Sequence, residues 1–428
     1  MAQTPTISAP APTRTSNVMS GVRAALAGTP GRLRVAGIAA AVACLAFGLV
    51  AAVAITQRAG AISDARNHAA QLVRIQSIRS NLTQADAAAT NAFLVGGLEP
   101  VDQRTSYRDG IAGATAAITS ASAGSTADAI VLATTNQQLA QYTGLIESAR
   151  ANNRQGFPLG AAYLRQASNL LRLDVLPPLA QLVSVEEARV NTAYANARRA
   201  NDGLIVTLVL ALVVLVIVQI WLSVKTRRTF NTALATATAT VVVGGLIGVA
   251  VMTLAEHSAT DVRRGSLANT VALATARTDA FDAKSAESLT LINRGGGQAF
   301  EAQYQAVIKD ANAALESITD HPLSNTPIAK LDAYESAHRL VRNQDDGGAW
   351  DAAVHLATSN DAHGTKIAFA AFDTTSRPAL DSQATHVSNS LNSARRPLAA
   401  IAVLLLLAGL ASAVLTWRGI AARLREYR

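Results

Sequence analysis

Four long apolar runs stand out in the pattern of hydrophobic and polar positions along this chain of 428 residues. They cover residues 35–55, 203–224, 233–254 and 397–417, and none of them contains a charged side chain. About 20 consecutive apolar residues in an α-helix are enough to cross the hydrocarbon core of a bilayer. We therefore predict four transmembrane helices at these positions.

The predicted spans divide the rest of the chain into two large blocks and three short segments. The short segments are an N-terminal tail at 1–34, a hairpin at 225–232 and a C-terminal tail at 418–428. The blocks are residues 56–202 and 255–396. Because the spans alternate in direction, both blocks are expected on one side of the membrane and all three short segments on the other.

Basic side chains concentrate in the short segments, which together hold eleven Arg or Lys residues and one acidic residue, although the net charge of the whole chain is only +8. Short loops rich in Arg and Lys remain in the cytoplasm. The pattern predicts a multi-pass protein of the cell membrane with both termini cytoplasmic and both blocks extracytoplasmic. Because this charge lies beside the spans, anionic headgroups of membrane lipids explain it better than nucleic acid does.

Helical spacing of apolar residues runs through both blocks. In the first block it includes Leu72, Ile75, Ile78, Leu82, Ala85, Ala89 and Phe93. Steps of three and four predict helices with one narrow apolar seam. Glycine, asparagine and proline clusters divide each block into four helical segments of balanced length. A kink or a brief interruption of the helix is expected at Pro177-Pro178 and at Pro378. The predicted fold class is all-α, with four transmembrane helices and two tandem extracytoplasmic four-helix bundles continuous with the spans.

The two halves of the chain also align with each other at an offset of about 197 residues. This offset places Asp86 on Asp282 and Tyr107 on Tyr304. We interpret the alignment as an internal repeat in which a unit of span, block and span occurs twice.

Motifs for catalysis or metal binding are missing from the sequence. It contains no HExxH, GxSxG, CxxC or P-loop motif, and its seven histidines share no metal-ligand spacing. We therefore expect no enzymatic activity, no cofactor and no metal. The single cysteine, Cys44, lies in the first span, so no intrachain disulfide is expected. Gly244 and Gly248 form a GxxxG pair that predicts close packing with another span or with a second copy in a homodimer.

Candidate partner-binding residues lie on both sides of the predicted membrane. At the membrane-distal end of the first bundle we expect an outer partner to contact Glu99, Asn152, Asn153, Arg154, Gln155 and Phe157. Arg and aromatic side chains often anchor protein interfaces, although the same asparagines and glycine are also typical of a simple helix stop. On the cytoplasmic side the candidates are Lys225, Arg227, Arg228, Arg423 and Arg425.

Several short motifs resemble the actinobacterial GlnX-type membrane proteins. They are TPGRLR at 29–34, ADA at 85–87, NAFL at 91–94, GGLEP at 96–100, ARANNRQG at 149–156 and GAAYLR at 160–165. The predicted bundles are also similar in design to the four-helix sensor domains of chemoreceptors and some histidine kinases. The resemblance implies a signal relay that receives information from an extracytoplasmic amino-acid-binding lipoprotein of the GlnH type. It implies that a cytoplasmic Ser/Thr kinase of the PknG type receives the signal, in control of glutamate and nitrogen metabolism.

Other functions remain open at the level of sequence. No HAMP, kinase or methylation region is present, so a relay needs a separate cytoplasmic partner. An outer bundle that binds a small amino acid directly is a variant of this relay. The alternatives are a cell-envelope scaffold without switching and a transporter or channel subunit, and the uncharged spans without internal proline disfavour the latter.

Overall fold

The computed structural model describes residues 29–156, 158–226 and 231–425 and shows helices and turns, without a strand, throughout those ranges. The first half contains α1 (Thr29–Val95), α2 (Val101–Gly124), a 3-10 turn (Thr126–Asp128), α3 (Ala129–Arg154), α4 (Leu159–Leu170), a π-helical turn (Leu171–Val175) and α5 (Leu176–Thr226). The second half contains α6 (Thr232–Val262), a second π-helical turn (Arg263–Leu267), α7 (Ala268–Ile292), α8 (Gln298–Glu316), α9 (His321–Asp346), α10 (Trp350–Thr358) and α11 (Thr365–Arg425).

Four stretches of helix are long and apolar enough to cross a membrane. They are Gly31–Val95, Leu159–Val224, Thr232–Ile292 and Thr365–Ala422. Each stretch contains one of the apolar runs and continues beyond it into a polar block. The prediction of an all-α polytopic membrane protein is therefore confirmed.

Two compact units make up the chain. One comprises residues 1–59, 197–255 and 397–428, which include the four apolar runs. The other comprises residues 60–196 and 256–396, so the two large blocks pack together in a single unit.

Small residues set the packing within the unit of apolar helices. A Cβ atom added to Gly409 would lie 2.6 Å from the Cα atom of Gly48, so α1 and α11 cross with their backbones in direct contact. A Cβ atom on Gly248 would lie 3.1 Å from the side chain of Leu405. The GxxxG pair of α6 thus packs against α11 of the same chain.

Each block forms a helical bundle around its own apolar core. In the first bundle, α1, α2, α3 and the pair α4–α5 enclose Leu72, Ile75, Ile78, Leu82, Tyr107, Ile118, Leu132, Leu139, Tyr142, Ile146, Leu164 and Leu171. In the second bundle, α7, α8, α9 and α11 enclose Leu273, Phe281, Tyr304, Ile308, Leu315, Leu331, Tyr334, Phe369 and Phe372. The apolar seam predicted for α1 faces the first of these cores.

The helices α1 and α7 are buried on every side in their central turns, where residues 82–92 and 283–291 are all buried. The faces turned away from the two cores consist largely of Ala, Ser and Thr, and they pack against each other. Thr90 Oγ1, for example, lies 3.4 Å from Ser285 Oγ. The expectation of a single narrow seam was incomplete, because small and hydroxyl-bearing residues form a second buried face that hydrophobicity does not reveal.

Proline positions and helix breaks differ in part from those expected. The first π-helical turn ends at Val175, just before Pro177, which has no N–H and whose ring would clash with a carbonyl in a regular α-helix. Helix α11, in contrast, runs through Pro378 without a break, so no interruption occurs at that proline. The last helical segment of the second block is interrupted at residues 359–364 instead, between the end of α10 and the start of α11.

Candidate functional site

The loop that follows α1 and the end of α3 meet at one end of the first bundle. We call this surface, formed by Leu98, Glu99 and residues 152–155, the tip. Asn153 Nδ2 donates to the backbone oxygen of Phe93 at 3.2 Å, which ties the end of α3 to the end of α1. A small cleft of about 90 Å³ lies between these elements.

Arg150 holds the tip together. Its guanidinium donates to Glu99 at 2.7 Å and to Glu147 at 2.6 Å. The same group stacks over the ring of Tyr107 at 4.1 Å, within the range of a cation–π interaction. The predicted site residue Glu99 is therefore a structural ion-pair partner, and it is only partly exposed.

The other residues predicted at the tip differ in exposure. Asn152 bonds back to the carbonyl of Ser148, as a helix-ending asparagine does. Arg154 and Gln155 are exposed, and the left-handed residue of the turn is Gly156, with φ of +74°. Phe157 lies outside the described residues. The loops therefore come together as expected, and Arg154 and Gln155 have exposed side chains at the surface.

Exposed apolar side chains beside this cleft were missed by the sequence analysis. Leu98 is 91% exposed and Val101 is 81% exposed. Both follow Gly96 and Gly97, whose positive φ values turn the chain outward. Fully exposed aliphatic residues next to arginines are typical of a protein-contact surface, and the GGLEP motif was the only sequence signal for them.

A buried polar network joins the first bundle to the second. Arg172, on the first π-helical turn, donates to Asp282 at 2.7 Å and to Asp86 at 3.3 Å. Its Nη2 also donates to Ser285 at 2.9 Å. Burial lowers the pKa of the Arg172 guanidinium, but Asp282 and Asp86 outweigh this effect and raise the pKa above its ordinary value. The positive charge of Arg172 thus lies between Asp86 of the first bundle and Asp282 of the second.

Asp86 receives further hydrogen bonds from inside its own bundle. Ser168 donates to its Oδ1 at 2.7 Å and Tyr142 at 3.2 Å, while Ser285 of the other bundle donates to its Oδ2 at 2.6 Å. These contacts connect α1, α3, α4 and α7 through a single carboxylate. A shift of any of these helices changes the hydrogen bonds of the others.

The second bundle contains a separate buried network of charged groups. Glu287 lies 2.5 Å from Lys284 and 2.8 Å from the ring nitrogen Nδ1 of His338. Burial raises the pKa of Glu287, but Lys284 and His338 outweigh it and lower the pKa to about 2. Burial lowers the pKa of His338, and its hydrogen bonds to Glu287 and Glu301 more than compensate, so that pKa is raised.

The cytoplasmic candidates lie mostly outside what the structure describes. Arg227 and Arg228 fall between the described ranges, and only the helical backbone is described for Lys225, Arg423 and Arg425. Among the described residues, no group of three or more His, Cys, Asp or Glu side chains is placed to hold a metal ion.

A family model for an actinobacterial sensor domain matches residues 61–195. The first bundle resembles a sensor domain. The match begins in α1 and ends in α5, so it covers the tip and the π-helical turn that carries Arg172. No curated protein and no solved structure matches the chain. A sensor-type domain on a multi-pass membrane protein fits a signalling role, and such a domain suggests a non-enzymatic one.

Proposed function

We propose that this protein is a non-enzymatic transmembrane signal relay of the GlnX type. An extracytoplasmic amino-acid-binding lipoprotein of the GlnH type docks on the tip, and a cytoplasmic Ser/Thr kinase of the PknG type responds at the inner ends of the helices. The proposed output is control of glutamate and nitrogen metabolism. Both termini are proposed to be cytoplasmic, with Lys225, Arg227, Arg228, Arg423 and Arg425 in the inner contact surface, which also meets membrane lipids.

The observation that supports this proposal most directly is the tip itself. It combines exposed Leu98 with exposed Arg154 beside a cleft, and exposed Val101 lies next to it in the chain. The tip also lies within the part of the chain that resembles a sensor domain. A partner that contacts both the apolar and the basic side chains gains the mixture of burial and charge typical of a protein interface.

Transmission follows from the continuity of the helices. Helix α1 runs unbroken from Thr29 to Val95, from an apolar run to the tip, so a displacement at one end is carried along a rigid element. Shifts of packed helices by about 1–2 Å are a common form of signalling transition. A partner biases such an equilibrium only by binding one arrangement more tightly than the other.

Capture of the purified lipoprotein by the full-length protein in detergent tests this proposal. Leu98→Asp and Arg154→Ala should each weaken binding by about tenfold or more, as expected for interface anchors. Ile130→Asp is the matched control, because Ile130 is 82% exposed and belongs to the opposite end of α3. Equal capture by all of these variants would rule out the tip as the docking surface.

The orientation is tested separately by cysteine labelling in intact cells. In a background with Cys44→Ala, a cysteine at position 130 should react with a membrane-impermeant maleimide added outside. A cysteine at position 228 should react only after the cells are opened. The reverse pattern would place both bundles in the cytoplasm and exclude an extracytoplasmic lipoprotein as the partner.

A further inference from the structure

A cleft of about 220 Å³ lies between the two bundles, and Asp102 and Gln103 at the start of α2 belong to its lining. Its walls come from α1 and α2 on one side and from α7 and α11 on the other. This volume is smaller than the ~300–1,000 Å³ of sites for drug-sized ligands, which favours a small occupant.

Asn91 lines this cleft, and its buried side-chain oxygen has no hydrogen-bond partner among the described residues. Asn91 is 3% exposed, and its Oδ1 atom receives no hydrogen bond from any described residue. Its Nδ2 atom donates to the backbone oxygen of Ala357 at 3.4 Å, which fixes the orientation of the amide. Buried amide oxygens are nearly always hydrogen-bonded in folded proteins, so this atom is suited to receive an N–H or O–H group from a ligand.

Each charged group that lines the cleft is held in an ion pair, and Lys284 in its wall lies 2.5 Å from Glu287. At the rim, Lys366 of the second bundle lies 2.9 Å from Asp102 of the first. Asp373, on α11 in the same wall, lies 2.6 Å from Arg277. With these charges balanced, the cleft has no excess of either sign and disfavours a ligand with a net charge.

An aromatic surface completes the wall. The rings of Phe281 and Phe369 pack edge to face, with centroids 5.0 Å apart. Gln84 and Gln103 supply amide groups on the facing side. The cleft therefore offers an apolar surface, neutral hydrogen-bonding groups and one ion pair that can open.

We propose that this cleft binds a small zwitterion that carries a primary ammonium and a carboxylate. The ammonium donates to Asn91 Oδ1 and faces Asp102, while the carboxylate accepts from Lys366. In the ion pair at the rim, the ammonium thus takes the place of Lys366 beside Asp102, and the carboxylate takes the place of Asp102 beside Lys366. The bound state therefore contains no buried net charge. Its hydrocarbon part lies against Phe281 and Phe369.

Such a ligand acts at the boundary of the two bundles, through residues other than those proposed to contact the lipoprotein. Asp102 and Lys366 belong to different bundles, so exchanging their direct contact for a bridging ligand changes how α2 and α11 are linked. The inference therefore goes beyond the proposed relay and gives it a second, direct input.

The test is calorimetric titration of the full-length protein in nanodiscs with glycine, β-alanine and γ-aminobutyrate. At least one of these zwitterions should bind saturably. Acetate has only the carboxylate and methylamine only the ammonium. Each should bind about tenfold more weakly or not at all, because it lacks one of the two charged groups that form hydrogen bonds in the cleft. Absence of saturable binding by every zwitterion, or equal binding of acetate or methylamine, would overturn the proposal.

Variants locate the site. Asn91→Leu and Lys366→Met should each weaken zwitterion binding by about tenfold, since each removes one charge-assisted hydrogen bond. If Asn91→Leu prevents folding, Lys366→Met and Gln103→Ala, which change partly exposed residues, decide the matter. Arg154→Ala, at the tip, should leave zwitterion binding unchanged. Unchanged affinity in the folded cleft variants would overturn the proposed site, whatever the tip variants show about the lipoprotein.

Discussion

Arg172 links the two bundles through ion pairs with one carboxylate of each. Its guanidinium lies between Asp86 and Asp282 and is almost completely buried. Removing one partner of a buried ion pair leaves an uncompensated charge in a medium of low polarity, which costs about 3–5 kcal/mol. Arg172 belongs to a π-helical turn, and such turns occur often at functional positions in helices.

Arg172→Met should therefore lower the free energy of unfolding by about 3–5 kcal/mol. The measurement is denaturant unfolding of the full-length protein in detergent. Arg108→Met, at an exposed position of α2, is the control and should change stability by less than about 0.5 kcal/mol. Adding Asp86→Asn and Asp282→Asn to Arg172→Met should recover part of the loss, because the unpaired charges are then gone. A mild effect of Arg172→Met alone would show that the network is not needed for the bundle contact.

Stability should also fall as the pH rises from about 5.5 to 8. The pKa of His338 is raised in the folded state, so its contribution is complete below the ordinary value of ~6.5 and is lost as the pH passes the folded value. Burial raises the pKa of Asp279 to about 7, so the folded state favours its protonated form and loses stability as the pH rises towards 7. Thermal unfolding at pH 5.5 and pH 8 measures the difference, and Asp279→Asn combined with His338→Asn should flatten it. A higher melting temperature at pH 8 than at pH 5.5 would contradict the assignment.

At the scale of elements, two kinds of helix contact determine the packing. The apolar helices α1 and α11 cross at Gly48 and Gly409, where neither backbone leaves room for a side chain. The polar parts of α1 and α7 pack through Ala, Ser and Thr, with hydroxyl groups such as Thr90 and Ser285 in contact. Small residues serve both contacts, because they let helix backbones approach closely.

Gly409→Ala should weaken the packing of α1 against α11, because the new methyl group would lie 2.6 Å from the Cα atom of Gly48. We expect a loss of about 1–3 kcal/mol, typical of overpacking. Gly203→Ala is the matched control, since nothing lies within 4 Å of the position that its methyl group would take, and it should leave stability unchanged or slightly improved. Thermal unfolding in one detergent compares the two, and equal melting temperatures would show that the crossing tolerates a methyl group.

At the scale of the whole molecule, the two polar blocks of the chain form one unit rather than two independent bundles. Residues 60–196 and 256–396 share the buried pair α1 and α7 and the network around Arg172. The family match, in contrast, covers only 61–195. The part of the chain that resembles a sensor domain is therefore completed by a second bundle from the same chain.

A fragment of residues 60–196 on its own should be much less stable than the same residues in the full chain, because its face around Asp86 and Thr90 would be uncovered. Adding a fragment of residues 256–396 should restore stability by forming a complex. Size-exclusion chromatography and thermal unfolding of the mixture measure this, and Arg172→Met in the first fragment should weaken the complex. A monomeric and fully stable first fragment would show that the two bundles fold independently.

The sequence alone determined the helices and the membrane spans. Apolar runs without charge predict spans because lipid offers no partners for polar groups, and the spacing of Leu and Ile predicts the faces that turn to each core. The same analysis placed Glu99 near Arg154, because the lengths of consecutive helices fix where their loops lie. It also aligned Asp86 with Asp282, but it did not predict that Arg172 forms ion pairs with both carboxylates.

Only the tertiary structure decided how the bundles contact each other. The second faces of α1 and α7 carry Ala, Ser, Thr and Asp, and these residues have no hydrophobic period from which burial can be predicted. Arg172 and Lys366 have the same chemistry as many exposed cations of the chain, so their partners depend on which helices are neighbours. The hydrophobic pattern of a helix determines which of its faces is buried. Polar contacts between distant segments depend instead on which helices become neighbours when they pack.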